Sequence, residues 1–197
     1  MRPRRAHRGP AGAGLVLTIL LPLTASGCGR ADGPGEGPPP RVPGRPDVQF
    51  ITTPDQIVDR MLELAEVRPD DVVYDLGCGD GRIVIAAARK YGCKAVGIEI
   101  DPKVVELAKE NVKKAHVEHL VVIRQGDVFE EDFRDATVVA MYLLPEVNVR
   151  LMPKLKQLRA GSRVVSHSFD MKGARPEKVE TVLGKKVYLW RVPWPSE

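Results

Sequence analysis

Cysteine and histidine are scarce in these 197 residues, with three of the first and four of the second. Cys78 and Cys93 flank a stretch of about ten residues that reads as helix, a rise of roughly 15 Å. A disulfide needs Cα atoms within about 7 Å, so no cross-link between them is expected, and packing is the role their settings suggest. His7 falls in an N-terminal leader, and His116 and His119 fall on or just after a helix. With His167 they form no metal-ligand set, and no metal is expected. There is no internal repeat. The longest apolar stretch, Ala11 to Leu23, is too short to span a bilayer comfortably. A basic excess is also missing from most of the chain. The formal charge is +4, but residues 1–46 hold seven arginines against Asp32 and Glu36, leaving 23 Lys+Arg against 24 Asp+Glu for residues 47–197. That near-neutral balance gives no electrostatic footprint for nucleic acid.

The first 46 residues are organised differently from the rest. Arg2, Arg4, Arg5 and Arg8 precede the apolar stretch containing LVLTILLPL, the pattern of a secretory signal. LTASGC follows and resembles the lipobox of bacterial lipoproteins, with Cys28 as the lipidated residue and Ala25 where leucine is usual. This reading gives a signal over 1–28 and a domain tethered to a membrane. An ordinary signal peptide is the alternative. A translation start near Val42 or Val48 is another, and it would give a cytoplasmic protein. Residues 29–46 (GRADGPGEGPPPRVPGRP) have no apolar period and read as a disordered, semi-stiff linker. The folded domain is expected over 47–197.

From Ile51 onward, helical and extended patterns alternate. TTPDQIVDRMLELAEV has Thr53 placed to cap a helix, with Pro54 in its first position. VVYDL reads as a strand and DGRIVIAAARKYG as a helix closed by Gly92. KAVGIEI is a second strand, and DPKVVELAKENVKKA a helix capped by Asp101. LVVIRQGD and ATVVAMYLL are strands three and four. PEVNVRLMPKLKQLRAG is mostly helical, with Pro153 expected to kink or restart it. SRVVSHSF is strand five. Strands separated by helices build a parallel sheet with helices on both faces. EKVETVL, GK and KVYLWRV instead read as a β-hairpin that ends the chain with antiparallel strands.

The motif that carries chemistry is VVYDLGCGDGR, residues 72–82. Its glycines, Gly77, Gly79 and Gly81, follow the first strand and open a helix, the place where open α/β sheets bind ligands. The spacing is GxGxG rather than GxGxxG, and no GK[ST] follows, which excludes a P-loop. Asp75 precedes the glycines and Asp80 sits among them. Two carboxylates repel a pyrophosphate and attract an ammonium or sulfonium. Glu99, ending strand two in GIEID, is placed to accept the hydroxyls of a ribose. Asp127, ending strand three in QGDVF, is placed to accept from the exocyclic amine of an adenine. An adenosine joined to a cationic amino-acid group answers all of these positions, which points to S-adenosyl-L-methionine.

On DLGCGDGR, GIEID and QGDVF the chain resembles the class I S-adenosylmethionine-dependent methyltransferases, over roughly residues 50–192. TTPDQIVDRML, VVAMYLLP, RVVSHSFDM and KKVYLWRVP are similar to the small protein-lysine methyltransferases that act on the adenine nucleotide translocase and the ATP synthase c-subunit, and to their bacterial relatives. The DLG–GIEI pairing is also similar to the Dot1-type core, although the extra N-terminal helical domain of that family is missing. The resemblance implies a Rossmann-like α/β fold, with Ile100 and Val128 joining Asp75, Gly77, Gly79, Asp80, Gly81, Glu99 and Asp127 at the cofactor. It implies methyl transfer to nitrogen, with a protein lysine as partner. The Asn-Pro-Pro-Tyr nitrogen-methylation motif is missing, which argues against a nucleobase acceptor. Tyr142, after strand four, is the candidate for the acceptor side; its bland alternative is a core tyrosine. His167 is the candidate proton acceptor, or else a hydrogen-bonded structural histidine, and Asp170 is placed for similar work. Phe50 and Ile51 are candidates for a lid. A small-molecule N- or O-methyltransferase and a non-catalytic cofactor-binding module stay open beside the lysine reading.

Overall fold

The computed structural model describes residues 51–196. The arginine-rich leader, Cys28, the Pro/Gly-rich linker and Phe50 lie outside the described residues. Among the described residues, no helix is long and apolar enough to cross a membrane.

Seven strands and four helices follow one another as α1 (Asp55–Leu64), β1 (Val72–Leu76), α2 (Arg82–Tyr91), β2 (Lys94–Glu99), α3 (Pro102–Lys114), β3 (Val121–Gln125), β4 (Val138–Met141), α4 (Pro145–Leu155), β5 (Arg163–His167), β6 (Lys178–Val182) and β7 (Lys185–Arg191). They make a single sheet in the order β3-β2-β1-β4-β5-β7-β6. The first five strands run parallel. The terminal hairpin adds antiparallel partners beside β5. The order reverses between β1 and β4, so a crevice opens at the carboxyl ends of these strands.

Local chemistry explains the helix ends. Asp101 accepts from the Lys103 N–H at 2.8 Å ahead of Pro102, and Gly92 closes α2 in the left-handed conformation. Three expectations shift. α1 starts one residue later than expected, with Pro54 in the cap position and no side-chain cap bond. The hydroxyl of Thr53 is used elsewhere. α4 stops at Leu155, two residues after Pro153, and does not continue through Gln157. The hairpin turn is Leu183–Gly184, both with positive φ (50° and 73°), instead of Gly184–Lys185. That is the sign two-residue hairpin turns require.

Alternation along the central strands sorts their side chains into two cores. Val73, Ala95, Val138, Ala140, Val165 and Val187 face α1 and α2 in one. Tyr74, Leu76, Val96, Ile98, Val139, Met141, Val164 and Trp190 face α4 in the other, with Phe133 and Met171. Period-two geometry then places Asp75, Glu99, Tyr142 and His167 on the α1/α2 face, at the carboxyl ends of four neighbouring strands. The sheet therefore collects on one rim residues spread over 93 positions of sequence, from 75 to 167.

Candidate active site

The loop after β1 spends its own N–H groups internally. Gly77 and Cys78 both donate to the Ile98 carbonyl at 2.9 Å, and Gly81 donates to the Cys78 carbonyl at 2.9 Å. Gly79 donates to Glu99 Oε2 at 3.1 Å. An anion cradle needs such groups turned toward the ligand; here they are turned toward the protein. Gly77, Gly79 and Gly81 have φ of 76°, 54° and 82°. At Gly77 a Cβ would also stand 2.8 Å from Leu143 Cδ2. At Gly97 a Cβ would meet Cys78 Sγ at 2.6 Å. The bare glycine of GIEID thus lets the loop lie flat on β2.

What gathers on the ligand side is carboxyl groups. Asp75 is 3% exposed, and its carboxyl is pushed up to about 8, first by burial and then by Glu99 and Asp80. A cation brought beside it relieves both causes. Glu99 is held at the end of β2, with Oε1 accepting from the Ile100 and Asp101 N–H groups at 2.8 and 3.1 Å. Oε1 thus has both of its acceptor sites filled, while Oε2, which accepts one bond from Gly79, keeps a lone pair for a ribose hydroxyl. Asp80 is engaged differently. Its two oxygens are gripped by Arg82, with Nη2 at 2.7 Å and Nε at 3.1 and 3.2 Å, so its charge is shared with a guanidinium. Burial, followed by Asp75, holds the Cys78 thiol well above its usual range, and burial raises Cys93 to about 11; neither is a nucleophile.

β3 ends at Gln125, so Asp127 stands in the following turn, exposed, with Oδ1 accepting from the Phe129 N–H at 2.9 Å. The turn is tied to β2 by the Gly126 N–H on the Glu99 carbonyl at 2.9 Å. Lys154 of α4 fixes its other side, donating to the carbonyls of Val128, Phe129 and Glu131 at 3.3, 2.8 and 2.7 Å. Ile100 is half exposed beside Glu99, and Val128 is partly buried. These residues fit S-adenosylmethionine: carboxylates at the ends of β1 and β2, a third after β3, exposed apolar surface between them, and no spare N–H cradle for phosphate.

The neighbouring rim, after β4 and β5, is aromatic. The Tyr142 ring lies 4.0 Å from that of His167 and 5.9 Å from that of Phe169, the second pair stacked at 17°. Tyr142 is partly buried and directly follows β4 at the carboxyl edge of the sheet. His167 is 2% exposed, and its imidazole is lowered to about 4, by burial first and by Lys185 second. It is neutral at physiological pH. Its Nδ1 stands 3.2 Å from Thr53 Oγ1, while Nε2 is buried without a partner. The turn carrying Phe169 and Asp170 is clamped from both sides. Ser166 Oγ donates to the Phe169 carbonyl at 2.6 Å, and Asn148 Nδ2 reaches the Asp170 carbonyl at 3.2 Å. Ser168 takes φ 63°, a costly conformation for a residue with a side chain. Ile51 is exposed.

Thr53, Phe169, Asn148 and Lys154 escape the sequence reading. Asn148 had a signal, being a polar residue in phase with Leu151 and Leu155 on the buried side of α4. Thr53 looked like a cap, and nothing in sequence marks Lys154.

The model of the ANTKMT methyltransferase domain matches residues 75–178. A protein-lysine N-methyltransferase of Saccharolobus islandicus is 47% identical over 151 residues, covering 74% of this chain and 94% of that one. The mouse adenine nucleotide translocase lysine N-methyltransferase is 36% identical over 140 residues, 71% of this chain and 61% of the mouse protein. Among solved structures, an RNA methyltransferase from Salinibacter ruber in complex with S-adenosyl-L-homocysteine shares 55% identity and a TM-score of 0.71, covering 73% of this chain and 94% of that one. A glycine loop whose N–H groups are spent internally, carboxylates at or just after the ends of three strands and a terminal hairpin thus agree with the comparisons: the chain belongs to the ANTKMT methyltransferase domain family and is an S-adenosylmethionine-dependent methyltransferase.

Proposed function

We propose that this methyltransferase acts on the ε-amine of a lysine in a protein. The observation that carries the reading is the aromatic rim after β4 and β5, where the Tyr142 and Phe169 rings stack beside the cofactor half of the crevice. The similarity to two enzymes named as lysine N-methyltransferases supports it.

Bound in the crevice, S-adenosylmethionine supplies a methyl group on a cationic sulfur. The chain's own residues do the rest. Asp75, Glu99 and Asp127 hold and orient; the Gly77 and Gly79 turns let the ligand approach the backbone. The π faces of Tyr142 and Phe169 steady the positive charge that grows on the accepting nitrogen. His167 stays neutral and serves as a ring against Tyr142, since a base lowered to about 4 cannot hold a proton at pH 7. The lysine therefore arrives as the free amine by its own equilibrium. The near-neutral charge of residues 47–197 gives no net attraction for an RNA backbone.

The test is to incubate the full chain with methyl-labelled S-adenosylmethionine and cell extract, then treat separate aliquots with protease and nuclease. The expected label is protease-sensitive and appears as methyl-lysine after acid hydrolysis. Label released by nuclease, or carried by small molecules, overturns the reading.

A further inference from the structure

Thr53 touches both halves of the crevice. Its carbonyl accepts from Arg82 Nη1 at 2.9 Å, and the same guanidinium grips Asp80 in the glycine loop. Its hydroxyl meets His167 Nδ1 at 3.2 Å, a buried contact between residues 114 positions apart. His167 in turn lies against Tyr142. The side chain is 4% exposed and makes no cap bond to α1, whose first turn begins on Pro54. A threonine in front of a helix ordinarily spends its oxygen on the N–H groups of that helix. This one spends it across the sheet.

We propose that Thr53 is a positioning residue for methyl transfer: its hydroxyl sets the tilt of the His167 ring, which sets the plane of Tyr142 on the acceptor side. The proposal rests on the acceptor-rim reading above. The imidazole has one anchored nitrogen and one buried nitrogen without a partner. Besides that bond, the ring meets the tilted Tyr142 ring at 4.0 Å and the charge of Lys185. Among the described residues, the Thr53 hydroxyl makes the one hydrogen bond to a ring against which the acceptor-side tyrosine packs. Because the Arg82 bond uses the carbonyl of Thr53, replacing the side chain leaves the loop-to-segment tie in place.

The experiment compares wild type, Thr53→Val and Thr53→Ser in the full chain. Cofactor affinity is measured by calorimetry, turnover with labelled cofactor on the wild-type acceptor, and the imidazole ¹⁵N shifts of His167 by NMR. Thr53→Val is expected to lower kcat about tenfold or more and to move the His167 shifts, with the cofactor Kd within about twofold. Thr53→Ser, which keeps the hydroxyl, is expected to restore kcat. Turnover unchanged in Thr53→Val overturns the proposal. So does a parallel loss of turnover and cofactor affinity, which means that Thr53 only holds the fold, and so does failure of serine to rescue. Loss of the lysine reading is separately visible, because the wild type would then label something other than protein while the ¹⁵N shifts still report the Thr53–His167 bond.

Discussion

The two halves of the crevice are built by different means. The cofactor half, at the ends of β1, β2 and β3, is made of tight turns: three left-handed glycines, N–H groups spent on Ile98, Cys78 and Glu99, and carboxylates within one or two residues of a strand end. The acceptor half, at the ends of β4 and β5, is made of side chains brought together from afar: Tyr142 on His167, Phe169 held through Ser166 and Asn148, His167 held through Thr53. A turn can be written in a few adjacent residues, because backbone conformation is a local property. A pocket wall cannot, because its contacts exist only once the sheet is assembled.

The largest expected effect falls where the halves touch. Gly77 is left-handed, and a Cβ there meets Leu143 just after Tyr142. Gly77→Val should weaken cofactor binding by about 3 kcal/mol, near a hundredfold in Kd by calorimetry, since a β-branched residue resists positive φ. Tyr142→Ala breaks the other half alone. It should lower kcat about thirtyfold, in keeping with a desolvated cation–π contact of about 2 kcal/mol, and leave cofactor affinity within about twofold. Equal losses in both quantities would erase the division drawn here.

A pH series sharpens the comparison from the cofactor side. The Asp75 carboxyl stands at about 8 in the ligand-free protein, so at neutral pH it still carries its proton, while a cation beside it favours the ionised form. Cofactor binding should therefore release a proton, and affinity should rise by up to about tenfold for each pH unit between 6 and 8. Calorimetry in buffers of different ionisation enthalpy measures the proton directly, and Asp75→Asn should flatten the dependence. The smallest effect expected is at Lys154, which donates to three carbonyls of the turn carrying Asp127 and Val128. Lys154→Met should weaken cofactor binding by about 1 kcal/mol without altering Tyr142, read as a modest rise in Kd at constant kcat.

The same contrast explains what sequence could tell. The place of Asp75, Gly77 and Glu99 on the rim was legible because spacing relative to a strand end carries it. The parallel sheet could be reasoned from the alternation of periods, and the terminal hairpin from EKVETVL and KVYLWRV. Asp80 shows the limit of that logic. Its position among glycines suggested a ligand contact, but Arg82, two residues on, takes both of its oxygens. Thr53 shows the limit more sharply. A threonine before Pro54 satisfies every local criterion for a cap, and only the pairing of β5 with its neighbours brings His167 within 3.2 Å of it. Phe169 is placed by a turn in which Ser168 adopts positive φ, a conformation that a serine does not advertise.

The glycine loop builds a site for a cation on an adenosine and offers no cradle for phosphate. The most direct measurement is calorimetric titration of the full chain with S-adenosylmethionine and, separately, with a nicotinamide dinucleotide, for wild type and Glu99→Ala. S-adenosylmethionine should bind, Glu99→Ala should weaken it by about 1–3 kcal/mol, and the dinucleotide should give no heat. Dinucleotide binding as tight as that of S-adenosylmethionine, or S-adenosylmethionine binding indifferent to Glu99, would contradict the claim.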